Sequence, residues 1–591
     1  MAVRNAVHAE TEAEVYGESH QTRLADLARA ADSSLTRLDL RIVAAVVYAL
    51  LVVAMWGSFA FSSGMPGETG FVFQSETQSA WQGFWYGDPL RPNTSNFYQL
   101  SYLLGQVFGI TGSFAPYQFV YAALWWAKGF LLFLLMRRWF PGALFISYIV
   151  GALAIVHASD TALQWVGQLN QLGFMLWLLL ALYFLTVAVQ QLNKIHTAVC
   201  LVLAGFFQYM CLWSYESPLF IVLFAPLLVG FLVRPSLKQL WTRSIVWYVV
   251  PLFYIFLSLK RYFHGAGTTY QETVLRKTWS VDALLSDLAF NVTASVSFWS
   301  WRLQREYISA SQEHRLAAFA TVVFIVAGMA FIFYKKRRNQ AAADPDFDFA
   351  VTWKLFAAGC VLLILSFPAY LALAYSRTLW RTQLLSGIGA AMVLGGAFAL
   401  MASLIPKRRF GDFVVMSMSA VVVFYGASRA VERGAFFRWN WHRHQVAIQQ
   451  VIRSAPQLRP ETIIVLVGVP KENDPLGHNY WFDLALRLAY PKVPVAGIFY
   501  YSDRSPGVGN TLTLSANHWH WDGTSFVPLV REASLEQTIV LEYQADGASR
   551  VLTELPEFVC TGGCSHELYN PSLRITGHTP SPIAVRRYGP L

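Results

Sequence analysis

The chain has 591 residues, of which 55% are hydrophobic, 15% aromatic and only 14% charged, with a formal net charge of +10. A mean hydropathy of +0.39 excludes an ordinary soluble enzyme and places the chain among polytopic membrane proteins. Most of the basic excess sits at the ends of apolar runs, where it sets membrane orientation, so the charge argues for no nucleic-acid partner.

Residues 1–37 are polar and mixed in charge, with neither a short apolar core nor a small-residue cleavage site, and read as a cytoplasmic N-terminal tail. Runs of about 20 apolar residues cross a bilayer as helices. Eleven are expected here, at 41–62, 116–136, 141–158, 171–190, 196–213, 217–233, 242–259, 315–334, 350–375, 382–404 and 410–428. With Arg37 and Arg41 inside, Arg137-Arg138, Lys194, the Arg234–Arg243 cluster, Lys335–Arg338 and Lys407–Arg409 all fall on the cytoplasmic side. The loops 63–115 and 260–314 then lie outside, within a transmembrane domain of residues 38–430.

From about 430 the apolar runs end, and a connecting helix is expected over 431–460. ETIIVLVGVP, YWFDLALRLAY and VPVAGIFYY then read as strand, helix and strand. Asp522-Gly523 and Asp546-Gly547 are hairpin-turn signals, and HWHW at 518–521 reads as a hairpin strand before it reads as a carbohydrate platform. Residues 461–591 are thus expected to be a soluble α/β or α+β domain, outside the cell membrane after eleven crossings. Cys200, Cys211 and Cys360 fall in apolar runs and serve as small apolar residues. Cys560 and Cys564, in CTGGC, suit a disulfide in an exported domain better than a zinc site, which needs two further ligands. No GxxxxGK[ST], HExxH or GxSxG pattern occurs.

The polar residues gather at the outer turns. The first loop carries Glu68, Glu76, Asp88 and Arg91, with FYQLSYLLGQVFG suited to lying flat in the interface. The next turn has His157, Asp160, Gln164, Gln168 and Asn170; the third has Glu216 in MCLWSYESPLFIV; a later one has Arg377 and Arg381. Such a set suits an anionic lipid phosphate bearing a sugar, with Arg holding phosphate, a carboxylate taking a proton from the acceptor, and amides and aromatics holding the sugar. For Glu76 or Asp88 alone a solvated loop acid is the commoner case. Glu216 and Arg377 stand within a few residues of apolar runs, where a charge is costly without a purpose. For Glu216 the structural alternative is an acid at the start of the following helix, with Ser217 and Pro218.

GDPLRPNTSNFYQLSYLLGQVFG, the span ending in Arg137-Arg138 and HASDTALQWVGQLNQLGFMLW resemble the N-terminal half of the GT-C glycosyltransferases of the protein O-mannosyltransferase-like kind. There a "GRPL" loop leads to an interfacial helix, an Arg-ended span and an "HP…EAV.W" turn. WSYESPLFIVLFAPLL resembles the family's "SKE…P" segment, and YSRTLWRTQLLSGIGAAMV its later "ER…LP" segment. The resemblance spans residues 41–430. It implies sugar transfer from a polyprenyl-phosphate donor to a glycan, lipid or protein acceptor on the outer face of the plasma (inner) membrane. Glu68 in PGETGF falls to the family's catalytic base, with Glu76 as its rival; His157, Asp160 and Glu216 fall to substrate positioning, and Arg377 and Arg381 to the lipid phosphate. No nucleotide is implied, and a divalent cation is an option the residues leave open.

In one respect the chain departs from that family: the paired acids are absent, since Thr69 follows Glu68. A catalytically silent scaffold presenting the C-terminal domain is the alternative that departure leaves open. A lipid transporter would show ionisable groups at mid-membrane depth and internal repeats; along this sequence the charges fall at the mouths and no repeat is found.

Overall fold

The computed structural model of the chain describes residues 40–56, 64, 91–110, 112–141, 143–159, 166–263, 276–300, 312–338, 348–372, 383–406, 408–510, 512–522, 529–545, 549–572 and 577–588. A helix occupies each apolar run. In chain order, with the helices of the loops 63–115 and 260–314 included, they are α1 (Leu40–Trp56), α2 (Asn96–Val107), α3 (Ala115–Trp139), α4 (Leu144–Val156), α5 (Leu169–Gln190), α6 (Lys194–Leu212), α7 (Leu219–Val233), α8 (Leu237–Phe263), α9 (Val281–Val296), α10 (Gln312–Arg338), α11 (Phe349–Leu365), α12 (Gln383–Ser403) and α13 (Arg408–Ser454). Among the described residues, seven helices are long and apolar enough to cross a membrane by length and composition: α3, α5, α6, α8, α11, α12 and α13. The shorter apolar helices are α1, α4, α7 and the Phe319–Phe331 part of α10. The chain is therefore an integral, polytopic helical membrane protein.

Local chemistry marks several helix ends. Asn193 caps α6, its side chain accepting from the Ile195 and His196 amides, and Asp348 caps α11 by accepting from Ala350 at 2.7 Å. Arg137 and Arg138 close α3, where cations suit the helix dipole. Small residues let the helices approach: Gly129 of α3 backs onto Ile155 and Gly151 of α4, and Gly359, Gly389 and Gly396 bring the backbones of α11 and α12 together.

Helix α4 has 13 residues, about 20 Å of rise, against about 30 Å of hydrocarbon. It therefore ends inside the bundle, level with the middle of α3, and its C-terminal turn at His157 is buried rather than open at a mouth.

Helix α13 has 47 residues, about 70 Å, so the span expected at 410–428 and the connecting helix expected from 431 form one element. Past the apolar run, Val431, Ala435, Trp441, Ala447, Ile448 and Val451 keep a buried stripe, which is why the helix does not stop.

The C-terminal domain carries β1 (Thr462–Val469), α14 (Asn479–Ala489), β2 (Val495–Tyr501), β3 (Leu512–Ser515), β4 (His518–Trp521), β5 (Glu532–Ser534), β6 (Thr538–Glu542), β7 (Arg550–Val551) and α15 (Pro582–Tyr588). One sheet runs β2-β1-β6-β7, with β1 parallel to both β2 and β6; the other, β3-β4-β5, is antiparallel. TIIVLVGV is a continuous apolar run because β1 is covered on both faces. Ile463, Val465 and Val467 face the small sheet and Trp519, while Ile464 and Leu466 join a core shared with α13. HWHW forms β4 as expected. The β3–β4 turn falls at Ala516-Asn517, both at positive φ; Gly523, Asp546 and Gly547 lie outside the described residues. Cys560 and Cys564 are joined by a disulfide.

The domain is braced against the bundle. Gln450 donates to the Gln544 carbonyl at 2.9 Å, and Tyr490 to the Ala455 carbonyl at 2.6 Å. From α15, Arg587 donates to the Gly112 carbonyl at 3.1 Å and lies over Phe114, whose ring meets Trp441 of α13 edge-on.

Candidate functional site

Three segments far apart in sequence meet at one end of the bundle. The stretch Arg91–Asn96, which opens with a 3-10 turn at Pro92–Ser95, docks on the turn between α6 and α7. The Asn93 amide donates to the Trp213 carbonyl at 3.2 Å and the Thr94 hydroxyl to the Ser214 carbonyl at 2.9 Å. Arg91 then reaches Glu216 at 2.5 Å while its guanidinium lies 5.0 Å from the centre of the Tyr215 ring. Tyr215 stacks on Phe174 of α5 at 5.5 Å, so the ring is held between a cation and an aromatic.

Glu216 does not cap α7, whose N-cap Pro218 makes no side-chain hydrogen bond. Its carboxylate is 38% exposed, while its Arg91 partner is buried.

The third segment is the start of α5. Tyr98 of α2 donates to the Val166 carbonyl at 3.3 Å, and Phe97 packs where Gly173 leaves no side chain. Gln168, Asn170 and Gln171 are buried here.

Deeper in, the turn after α4 joins α9 and α12. His157 donates from Nε2 to the Ser295 carbonyl at 3.0 Å, which leaves Nδ1 as an acceptor facing Gly387. Ser159 donates to the Ala294 carbonyl at 3.1 Å and to Gln383 Oε1 at 3.2 Å. Gln383 is the hub: Oε1 also accepts from Ser295 and Ser386, and Nε2 donates to Asn291 at 2.9 Å. Arg433 of α13 points at the Ala158 carbonyl, and Lys128, 1% exposed in mid-α3, lies within electrostatic reach of His157.

Of the residues expected to act, His157 and Glu216 are described, and they stand at different depths. Glu68, Glu76, Asp160, Arg377 and Arg381 lie outside the described residues, as does Gln164. Gln383, two positions after Arg381 in sequence, anchors the first turn of α12.

The expectation that charges sit only at the mouths is corrected by Lys128: one Lys within an otherwise apolar helix stands in plain view in YAALWWAKGFLL. The sequence assigns no role to Gln171, Asn291, Gln383 or Arg433, and it offers Arg91 as a polar residue of the first loop without its partner Glu216. Arg433 had no available signal, because it lies beyond the last apolar run. Among the described residues, no three His, Cys, Asp or Glu side chains gather as metal ligands.

No family model matches the chain. No curated protein matches it either. The solved structures it is similar to include ArnT from Cupriavidus metallidurans bound to undecaprenyl phosphate, at 14% identity over 73% of this chain and 83% of that one, with a TM-score of 0.32. A likeness that slight assigns neither an activity nor a substrate to this chain.

Proposed function

We propose that the protein is a membrane glycosyltransferase that moves a sugar from a polyprenyl-phosphate donor to an acceptor on the extracytoplasmic face. The observation that carries the reading is the docking of RPNTSN on WSYES. Both segments belong to the family resemblance, and Arg91 bonds Glu216 across 125 positions of sequence.

In the proposed step, Glu68 takes the proton of an acceptor hydroxyl, whose oxygen attacks the anomeric carbon as the bond from that carbon to the phosphate oxygen breaks. The polyprenyl phosphate leaves as an anion held by Arg377 and Arg381, with inversion at the sugar. His157, Asp160 and Glu216 position the substrates. A divalent cation, if used, would assist the departing phosphate. The C-terminal domain, placed outside, would meet the acceptor or a partner protein.

The test is transfer of radiolabelled sugar from polyprenyl-phosphate donors in membranes. Transfer by the native protein and its loss, by about 100-fold or more, in Glu68→Gln at equal expression is the expected result. Transfer unchanged in that variant moves the base to Glu76; no transfer from any donor favours the scaffold.

A further inference from the structure

Strand β4, HWHW, is the middle strand of the β3-β4-β5 sheet, and its alternation sorts two residue types onto two faces. Trp519, fully buried, points into the domain core with Leu512, Leu514 and Ala533, and its ring Nε1 donates to Thr538 Oγ1 at 2.8 Å. His518 and His520 fall on the opposite, solvent face, both exposed, with ring centres 6.4 Å apart. Among the described residues neither imidazole makes a hydrogen bond or an ion pair.

The register sets an acid beside them. His520 stands opposite Glu532 of β5, and His518 opposite Ser534. The Trp521 amide donates to the Arg531 carbonyl at 3.1 Å and the Leu535 amide to the Asn517 carbonyl at 2.8 Å. Positions 517, 519 and 521 therefore sit in hydrogen-bonded pairs, and 518 and 520 in the non-hydrogen-bonded pairs between them. There the facing side chains come closest, with Cβ atoms about 4.5–5.5 Å apart. Glu532 is exposed and, among the described residues, has no ion pair. On the other flank β3 sets Thr513 and Ser515 opposite the two imidazoles, so none of the paired positions on this face carries a Lys or Arg.

We infer that His518, His520 and Glu532 form a binding site for a divalent transition-metal cation of the zinc and copper(II) class. Imidazole with carboxylate suits these ions, whereas calcium and magnesium take oxygen donors. One exposed imidazole needs no ligand to account for it; two at i and i+2, abreast of an acid, can close on a single ion. The metal lies about 2.0–2.2 Å from each nitrogen or oxygen ligand, so the two rings must turn toward each other and Glu532 toward them. As they stand the three side chains do not gather as ligands. All three are exposed, so turning them in costs rotamer freedom and disrupts no packing. The strand beneath is fixed by the buried Trp519 and by Asn517, whose side chain accepts from the Ser565 amide at 2.6 Å. The remaining coordination positions are open to water. The site uses neither Arg91, Glu216 nor His157, and it stands whether or not the protein transfers sugar.

The experiment uses the full chain in lipid nanodiscs, purified through a histidine-free tag, stripped with chelator and titrated with zinc chloride or copper(II) chloride alone. The native protein is expected to bind a single zinc ion in its tightest class, to bind copper(II) more tightly still, and to bind neither calcium nor magnesium there. His518→Gln and His520→Gln each weaken zinc binding by about 100-fold or more, because the second imidazole acts at high effective concentration. Glu532→Gln weakens it by about tenfold. His566→Gln, which removes another exposed imidazole of the same domain, leaves it unchanged. With copper(II), paramagnetic resonance shows coupling to two imidazole nitrogens in the native protein and to one in either of the first two variants. In chelator all the chains share one thermal midpoint, and zinc raises it less in the His518 and His520 variants than in the native protein. Failure of the native protein to bind either metal overturns the site, as does tight binding that survives both His substitutions. Undiminished binding by Glu532→Gln overturns the carboxylate as third ligand.

Discussion

Arg91 and Glu216 show what a charge near a bilayer needs. Alone, each would be costly; together they form a charge-assisted bond at 2.5 Å, with Tyr215 beneath the guanidinium. Either Arg91→Ala or Glu216→Ala is expected to lower the thermal stability of the purified protein, Arg91 removal by about 1–2 kcal/mol, and to weaken transfer with it. The exchange Arg91→Glu with Glu216→Arg restores part of both, measured by melting and by the transfer assay. In the C-terminal domain, Asp483 is fully buried, accepts from the Gly497 amide at 3.2 Å and lies 2.6 Å from Arg487 Nε. Burial pushes its carboxyl from 3.8 up to about 6, with Arg487 opposing the rise. The folded state thus holds the proton more tightly than the unfolded one. The contribution is full below pH 3.8 and is lost as pH rises through about 6. Relative to Asp483→Asn, the native domain should lose up to about 3 kcal/mol over that window, read by hydrogen exchange in β1 and β2.

At the scale of the elements, the short α4 decides where the chemistry-bearing turn lies. A 13-residue helix ends within the bundle, and Gly387 of α12 leaves the space that the His157 imidazole fills. Gly387→Leu is expected to drive the two apart and break the Ser159–Gln383–Ser295 network. A cost of about 2–4 kcal/mol would appear as a lower thermal midpoint and as loss of transfer at permissive temperature. The hydropathy pattern located α4 and α12 but carried no sign of this meeting. Helix existence follows from a local run of apolar residues, whereas the depth of a helix end follows from how closely Gly129 and Gly151 let α3 and α4 pack.

Across the whole molecule, α13 is the mast that joins bundle and domain, and α15 is the stay. Tyr588 is fully buried, Gln445 donates to the Arg587 carbonyl at 2.9 Å, and Arg587 crosses to Gly112 in the first loop. A chain ending at Ser581 should keep its sheet but lose about tenfold or more of the hydrogen-exchange protection at residues 112–118 and 441–450. Unchanged protection there would mean that α13 alone holds the domain.

Membrane class, the positions of the apolar helices and the strand-helix-strand start of the C-terminal domain are legible in the amino-acid order alone. Those properties are written in runs of 8 to 20 residues, through hydropathy and periodicity. That Arg91 belongs to Glu216 and that Lys128 and Arg433 converge on the turn after α4 emerge only when the helices are packed. Each of those depends on which helix faces meet, and a single chain's local pattern carries no record of that choice.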